Sequence, residues 1–216
     1  MGQLIPEPVA RYLDALHAQV DPVLAEVERE GRAQGLPLVH AASGRVLRSL
    51  AVATGARRVL EIGTAIGYSA LWMAPALPED GLLITLEVDA ARAATARANF
   101  ARANIADRIS VIVGDASRYL HKVAGPFDLV FQDGAKALYE PLLDRLVDLL
   151  SPRGVLVSDN VLWSGEVVEG FVAEPQRSPA DARALRAYNE RLARDPRLLT
   201  TFLPVGDGLA VSVKLP

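Results

Sequence analysis

Two hydrophobic rhythms divide this chain. Up to about Gly55 apolar residues recur at helical spacing. Asp21-Pro22 supplies a capping carboxylate and a proline at the first helical position, and Val23, Leu24 and Val27 follow on one face. Gly35 and Pro37 interrupt this run, and a further helix near Gly44–Thr54 carries the stripe Val46, Leu47 and Leu50 before Gly55 stops it. Beyond that point short apolar runs alternate with helical stretches. Arg58–Ile62, Leu82–Glu87, Ile109–Val113, Phe127–Phe131 and Gly154–Ser158 read as strands. Between them lie a helix through Leu71 and Met73, an Ala/Arg-rich helix capped by Asp89 that reaches about Ala103, and a short helix over Ala116–Val123. A last one, Tyr139–Leu150, repeats Leu142, Leu143, Leu146 and Leu149 on one face. Strands apolar on both faces, alternating with helices, predict a mainly parallel sheet covered on both sides. The tail changes character: a polar loop, Glu166–Pro179, precedes a helix near Asp181–Ala193 and a hairpin, Leu198–Leu203 and Leu209–Lys214, turning around Gly206-Asp207-Gly208. The fold expected is α/β: a doubly wound, mainly parallel seven-stranded sheet with an antiparallel C-terminal hairpin and a helical N-terminal extension. It forms a single domain over 1–216, with 1–55 as the extension and 56–216 as the core.

The first candidate for chemistry is the turn after the first strand, Glu61-Ile62-Gly63-Thr64-Ala65-Ile66-Gly67. Glycines here let the backbone approach a ligand, and the next helix presents free N–H groups. A dinucleotide fingerprint requires G-x-G-x-x-G, which this turn lacks, and Glu61 would repel a pyrophosphate while suiting a ligand that carries an ammonium. Glu87 closes the second strand, where a carboxylate can accept from ribose hydroxyls, and Gly114-Asp115-Ala116 closes the third, where an adenine could lie. The plainer alternative is that the glycines serve turn geometry and that Glu87 is a solvated strand-end charge.

The second candidate is a set of oxygen ligands. Asp133 follows the fourth strand and Asp159-Asn160 the fifth, and strand ends on one edge of a parallel sheet face one crevice. Two carboxylates and an amide favour Mg²⁺, Mn²⁺ or Ca²⁺ over zinc. The histidines His17, His40 and His121 are scattered. Lys136 is within reach of Asp133. A lysine ammonium, with a free pKa of roughly 10.4, becomes a useful base only where desolvation or a nearby cation lowers it. Trp163 and Tyr139 flank the same crevice and are candidates to line a substrate pocket. An Asp133–Lys136 surface pair, an Asp159-Asn160 turn and ordinary aromatic packing are the alternatives.

Composition narrows the partners. The chain has 216 residues, 50% hydrophobic and 23% charged, with net charge −3 and no cysteine. Disulfides, iron–sulfur clusters and thiolate catalysis are excluded. The absence of a Lys/Arg run argues against nucleic acid, and the absence of a long apolar run against a membrane span. Met1–Pro6 resembles neither a signal peptide nor a myristoylation signal, so a cytoplasmic location is expected.

The motifs VLEIGTAIGYSAL (Val59–Leu71), LEVD (Leu86–Asp89), GDA (Gly114–Ala116), FDLVFQDGAKALY (Phe127–Tyr139), SDNVLWSGEV (Ser158–Val167) and PVGDG (Pro204–Gly208) occur in this order. In them the chain, from about Leu36 onwards, resembles the metal-dependent O-methyltransferases that include catechol O-methyltransferase and the plant caffeoyl-CoA enzymes, especially their short bacterial relatives. The resemblance implies a Rossmann-like methyltransferase that uses S-adenosylmethionine and a divalent metal, Mg²⁺ first, to methylate a small aromatic hydroxyl, and it suggests a homodimer. Glu61 and Gly63 would lie at the methionine part of the cofactor, with Ser69 on its carboxylate and Thr64 also in the cofactor site. Glu87 would hold the ribose, Ala116 would lie beside the adenine, and Val39 and His40 would stand where the N-terminal segment passes. Asp133, also beside the cofactor, would ligate the metal with Asp159 and Asn160, and Lys136 would be the general base. Plant relatives often read D-A-D-K where this chain has Asp133-Gly134-Ala135-Lys136, and Leu36–Ser43 matches poorly. Competing readings are a metal-independent methyltransferase acting on another small nucleophile, a non-catalytic S-adenosylmethionine-binding protein, and, against the glycine spacing, a nicotinamide oxidoreductase.

Overall fold

The structure, a computed structural model, describes residues 6–17, 21–172 and 177–216. Most of Met1–Pro6, and residues 173–176 of the polar loop, lie outside the described residues. The described residues of the N-terminal extension carry three helices, α1 (Glu7–Leu16), α2 (Pro22–Ala33) and α3 (Ala41–Ala53), with a non-helical stretch between the last two. Asp21 caps α2 by accepting from the amides of Val23 and Leu24. The third helix starts earlier than its apolar stripe indicates because His40 caps it, Nδ1 accepting from Ala42 N at 3.3 Å.

The core then runs β1 (Arg58–Ile62), α4 (Tyr68–Met73), β2 (Leu82–Glu87), α5 (Ala90–Arg102), β3 (Ile109–Val113), α6 (Ala116–Tyr119), β4 (Phe127–Gln132), α7 (Tyr139–Leu149), β5 (Leu150–Ser158), α8 (Pro179–Arg194), β6 (Leu198–Leu203) and β7 (Leu209–Lys214). These form one seven-stranded sheet in the order β3-β2-β1-β4-β5-β7-β6. The first five strands are parallel, and β7 and β6 join antiparallel, as the terminal hairpin predicts. The strand expected to begin at Gly154 begins at Leu150. Phe127 pairs with Leu150 and Leu129 with Val155, so residues 151–154 loop out opposite Asp128, with Arg153 at φ 63°. The short helix expected over Ala116–Val123 is split into α6 and a 3₁₀ turn, Leu120–Lys122.

Alternation along the strands builds two cores. Val59, Leu83, Leu129 and Val157 face one way and pack with Leu47, Trp72 and Phe100 from the helices on that side. Leu60, Leu86, Val130 and Leu156 face the other way and pack with Leu143, Leu146, Leu185 and Tyr188. Helix α1 buries no residue, and its Val9, Tyr12, Leu13 and Leu16 remain exposed. No helix among the described residues is long and apolar enough to cross a membrane.

The sheet positions the candidate site through its register. Ile62 pairs with Leu86 and with Gln132, and Gln132 with Ser158, so these parallel strands end side by side. Their hydrogen bonding continues beyond the last pairs: Gly63 N donates to Leu86 O (3.0 Å), Asp133 N to Ile62 O (2.9 Å) and Asp159 N to Gln132 O (3.1 Å). The order also reverses direction at β1, with β2 on one side and β4 on the other, which opens a crevice at those ends.

Candidate active site

Around the glycine turn a buried polar network takes shape. Glu61 has no exposed surface. Its Oε1 accepts from Ser69 Oγ at 2.5 Å and its Oε2 from Thr85 Oγ1 at 2.6 Å. The Thr85 proton is thus committed, so the Thr64 hydroxyl, 2.5 Å away, donates to Thr85. Both Glu61 oxygens are thus engaged by hydroxyls inside the protein. Burial pushes its pKa up to about 7, against the pull of the Ser69 and Thr85 hydrogen bonds and with added repulsion from Asp133 and Glu87. A carboxyl raised from 4.5 stabilises the fold fully below pH 4.5 and loses that contribution as pH rises through about 7. The full effect is at most about 3 kcal/mol. Without cofactor, the melting temperature should fall between pH 4.5 and 7.5, and less steeply in Glu61→Gln. Parallel pH profiles for the two proteins would show that Glu61 does not titrate in this window.

At the neighbouring strand end Glu87, 6% exposed, accepts from Ala65 N at 2.7 Å and from Asp89 N at 2.9 Å. It thereby ties the glycine turn to the end of β2, with Ala65 at φ 45°. Ala116 is buried where α6 opens, under the cap formed by Asp115. Val39 is buried in the apolar cluster that contains Leu47, and His40 beside it is exposed. Two residues beside these groups were given no role from the sequence. Val88 is 72% exposed directly after Glu87, and the Tyr119 ring lies so close to Gly114 that a Cβ there would meet it at 2.3 Å.

In the second constellation Asp133, Lys136 and Asp159 lie close enough to act on one another. The Lys136 Nζ lies 3.1 Å from Asp133 Oδ1 and 2.9 Å from the Tyr139 hydroxyl, with the lysine side chain only 9% exposed. Asp159 is 2% exposed and accepts from the amide of Asn160, itself at φ 61°. Burial raises the pKa of Asp133 in spite of Lys136. Burial and the Asp133 charge raise that of Asp159 well above the usual carboxylate range. Tyr139 requires a correction. It has no exposed surface, so it does not line a substrate pocket; it faces Lys136 and the strand ends instead. Burial, with the charges of Asp133 and Asp159, keeps its phenol protonated.

Trp163 and Ser164 stand in the left-handed region, at φ 48° and 55°. The indole has the Arg177 guanidinium over it at 4.3 Å and the Lys136 Nζ at 5.7 Å. Arg177 in turn pairs with Asp207 at 2.5 Å, and Asp207 also accepts from Ser164 N. Asp207 and Arg177 were not assigned a role from sequence, although Asp207 lies in the PVGDG motif; thirty residues separate them, and only the fold brings them together.

Asp133, Asp159 and Asp207 act on one another electrostatically, and Lys136 and Arg177 are the cations set among them. These three acids face two bases among the described residues, an excess of acidic groups that would suit a cation at Asp133, Asp159 and Asn160. Among the described residues no group of three or more His, Asp or Glu is placed to hold a metal ion, and the candidate set remains the two carboxylates and one amide expected from the sequence. A cavity of about 590 Å³ lies elsewhere, beside Arg191, Arg194 and Arg197; Arg191 and Arg197 are paired with Asp144, and it brings together none of these groups.

Similarity to known proteins agrees with this geometry. The sequence model of the O-methyltransferase family matches residues 16–215. The catechol O-methyltransferase of Mycobacterium tuberculosis is 38% identical over 216 residues, covering 96% of each chain. Among solved structures, an O-methyltransferase from Bacillus cereus in complex with SAH superposes with a TM-score of 0.84 at 32% identity, over 96% of this chain and 97% of that one. The O-methyltransferase TomG from Streptomyces achromogenes, in complex with SAM, gives 0.86 at 31% identity over 100% of both. The chain belongs to the O-methyltransferase family and is an S-adenosylmethionine-dependent enzyme.

Proposed function

We propose that this enzyme methylates a hydroxyl of a small aromatic substrate with vicinal oxygens, of the catechol or caffeoyl type, with a divalent cation, Mg²⁺ first, held by Asp133, Asp159 and Asn160. The observation that carries the reading is a lysine amine within 3.1 Å of Asp133 in a crevice where Asp133, Asp159 and Asp207 act on one another. When bound, the cation would neutralise those carboxylates and stabilise the ionised form of an acceptor hydroxyl. Lys136 takes the hydroxyl proton on its amine. The oxygen then forms a bond to the methyl carbon as the carbon–sulfur bond breaks, its electron pair going to sulfur, so the sulfonium becomes the neutral thioether of S-adenosylhomocysteine. The Gly63 turn, Glu87 and Ala116 hold the cofactor for an in-line approach. Positioning of this kind is worth roughly 7–11 kcal/mol. Trp163, carrying Arg177, would flank the acceptor ring. A homodimer belongs to the same proposal, supported by the exposed apolar face of α1.

The test is transfer to a panel of catechols with and without Mg²⁺, together with thermal shifts in the metal alone. Turnover should need Mg²⁺ and disappear with chelator. Mg²⁺ should also raise the melting temperature of the wild type and leave that of Asp159→Ala unchanged. Full turnover of chelated protein, or of Asp159→Ala, would favour the metal-independent reading with another small nucleophile.

A further inference from the structure

Tyr139 places a polar atom at the centre of the site that the reaction above does not use. Its ring is fully buried and held edge-on against Tyr188, with centroids 5.2 Å apart. Its hydroxyl lies 3.1 Å from Gln132 O and 3.0 Å from Asp159 O, both backbone carbonyls at the ends of β4 and β5. A phenol has one proton, and neither carbonyl can donate, so that proton goes to one of them and the phenol oxygen keeps its lone pairs to accept. The donor it accepts from is Lys136 Nζ, at 2.9 Å.

Lys136 sits one 3₁₀ turn before α7, which begins at Tyr139, so the anchor and the amine belong to one short rigid stretch. The nitrogen has three positions besides its stem. Asp133 Oδ1 and the Tyr139 hydroxyl take two of them. In the neutral amine these two acceptors hold both N–H bonds, which leaves the lone pair in the third direction. The Tyr139 and Trp163 rings, with centroids 4.8 and 5.7 Å from Nζ, confine the amine further.

We propose that Tyr139 is a positioning residue: its hydroxyl, fixed by the backbone ends that carry Asp133 and Asp159, holds one N–H of Lys136 and so aims the amine lone pair at the acceptor hydroxyl. The inference rests on Lys136 being the base. It makes Tyr139 the orienting group of that base, as a third group orients the base in other proton-abstracting sites.

The experiment is a double-mutant cycle on the full-length enzyme. The kcat, the KM for a catechol and the S-adenosylhomocysteine affinity are measured for wild type, Tyr139→Phe, Lys136→Ala and the double variant. Phenylalanine keeps the ring contact with Tyr188 and removes only the hydroxyl. Tyr139→Phe should lower kcat about 10–100-fold, with KM and cofactor affinity within about twofold, and should slow Lys136→Ala no further. Equal losses in both backgrounds, or an unchanged kcat, would overturn the proposal and leave the base reading standing. Full turnover by Lys136→Ala would remove the base reading and this proposal with it. Tyr188→Phe is the control for a general loss of buried hydroxyls. Its hydroxyl contacts Ser158 and Gln132 and not Lys136, so kcat should stay within about threefold of wild type. A drop equal to that of Tyr139→Phe would also overturn the proposal.

Discussion

Lys136→Ala should lower the rate of methyl transfer by about 10²–10⁴-fold while leaving S-adenosylhomocysteine affinity within about twofold. The asymmetry follows from placement. Lys136 faces Asp133, Tyr139 and Trp163, whereas the cofactor groups proposed here, Glu61, Gly63 and Glu87, hang from the ends of β1 and β2. Alanine also leaves Asp133 without its cation, and that carboxylate is already raised by burial. The variant should therefore melt lower, by a cost of about 1–3 kcal/mol, and more so at high pH, where Asp133 is forced to ionise. This drop creates an ambiguity that Lys136→Arg resolves. Arginine restores a cation beside Asp133 but does not give up a proton near neutral pH. It should recover most of the melting temperature and little of the turnover. If Lys136→Arg regained turnover in step with stability, Lys136 would be acting as a charge and not as a base.

The parts of this enzyme that were legible in its sequence are those set by periodicity within one element. Val59-Leu60, Leu129-Val130 and Val155-Leu156-Val157 are apolar on both faces, which only a doubly covered sheet satisfies, and the ends of such strands predict where Glu87, Asp133 and Asp159 gather. What stayed hidden depends on side-chain direction across elements. Glu61 looks like a free acid in a glycine turn, yet its partners come from α4 and from β2, eight and twenty-four residues away. Tyr139 looks like an aromatic beside a pocket, and only the start of α7 turns its hydroxyl inward toward two strand ends. The Asp207–Arg177 pair on Trp163 joins the hairpin turn to the loop before α8, a closure that no local pattern encodes. The glycine turn falls between these cases. Its position was readable, but the reason for one of its glycines was not.

That reason yields the other large expected effect: Gly63→Ala should cost stability and catalysis together. Gly63 stands at φ +100°, where a side chain is strained, and a Cβ would come within 2.6 Å of the backbone oxygen of Asp133. Neither partner can swing aside, because Asp133 N is bonded to Ile62 O and Gly63 N to Leu86 O. Strain of about 1–3 kcal/mol adds to overpacking of about 1–3 kcal/mol. In a chain of this size that corresponds to a melting temperature lower by about 5–20 °C. Relief requires the end of β4 to move away from β1, which carries Asp133 and, three residues on, Lys136 out of line with the cofactor. A displacement near 1 Å is worth about 10²-fold in rate. Gly55→Ala separates the two contributions. Gly55 is also at positive φ, +59°, but nothing lies within 4 Å of its missing Cβ. It should lose about 1 kcal/mol to strain and keep full turnover per folded molecule. Were Gly63→Ala to melt like Gly55→Ala and turn over normally, the turn would be serving backbone geometry alone. If it loses turnover well beyond its loss of stability, Gly63 is the joint through which the cofactor turn sets the position of Asp133.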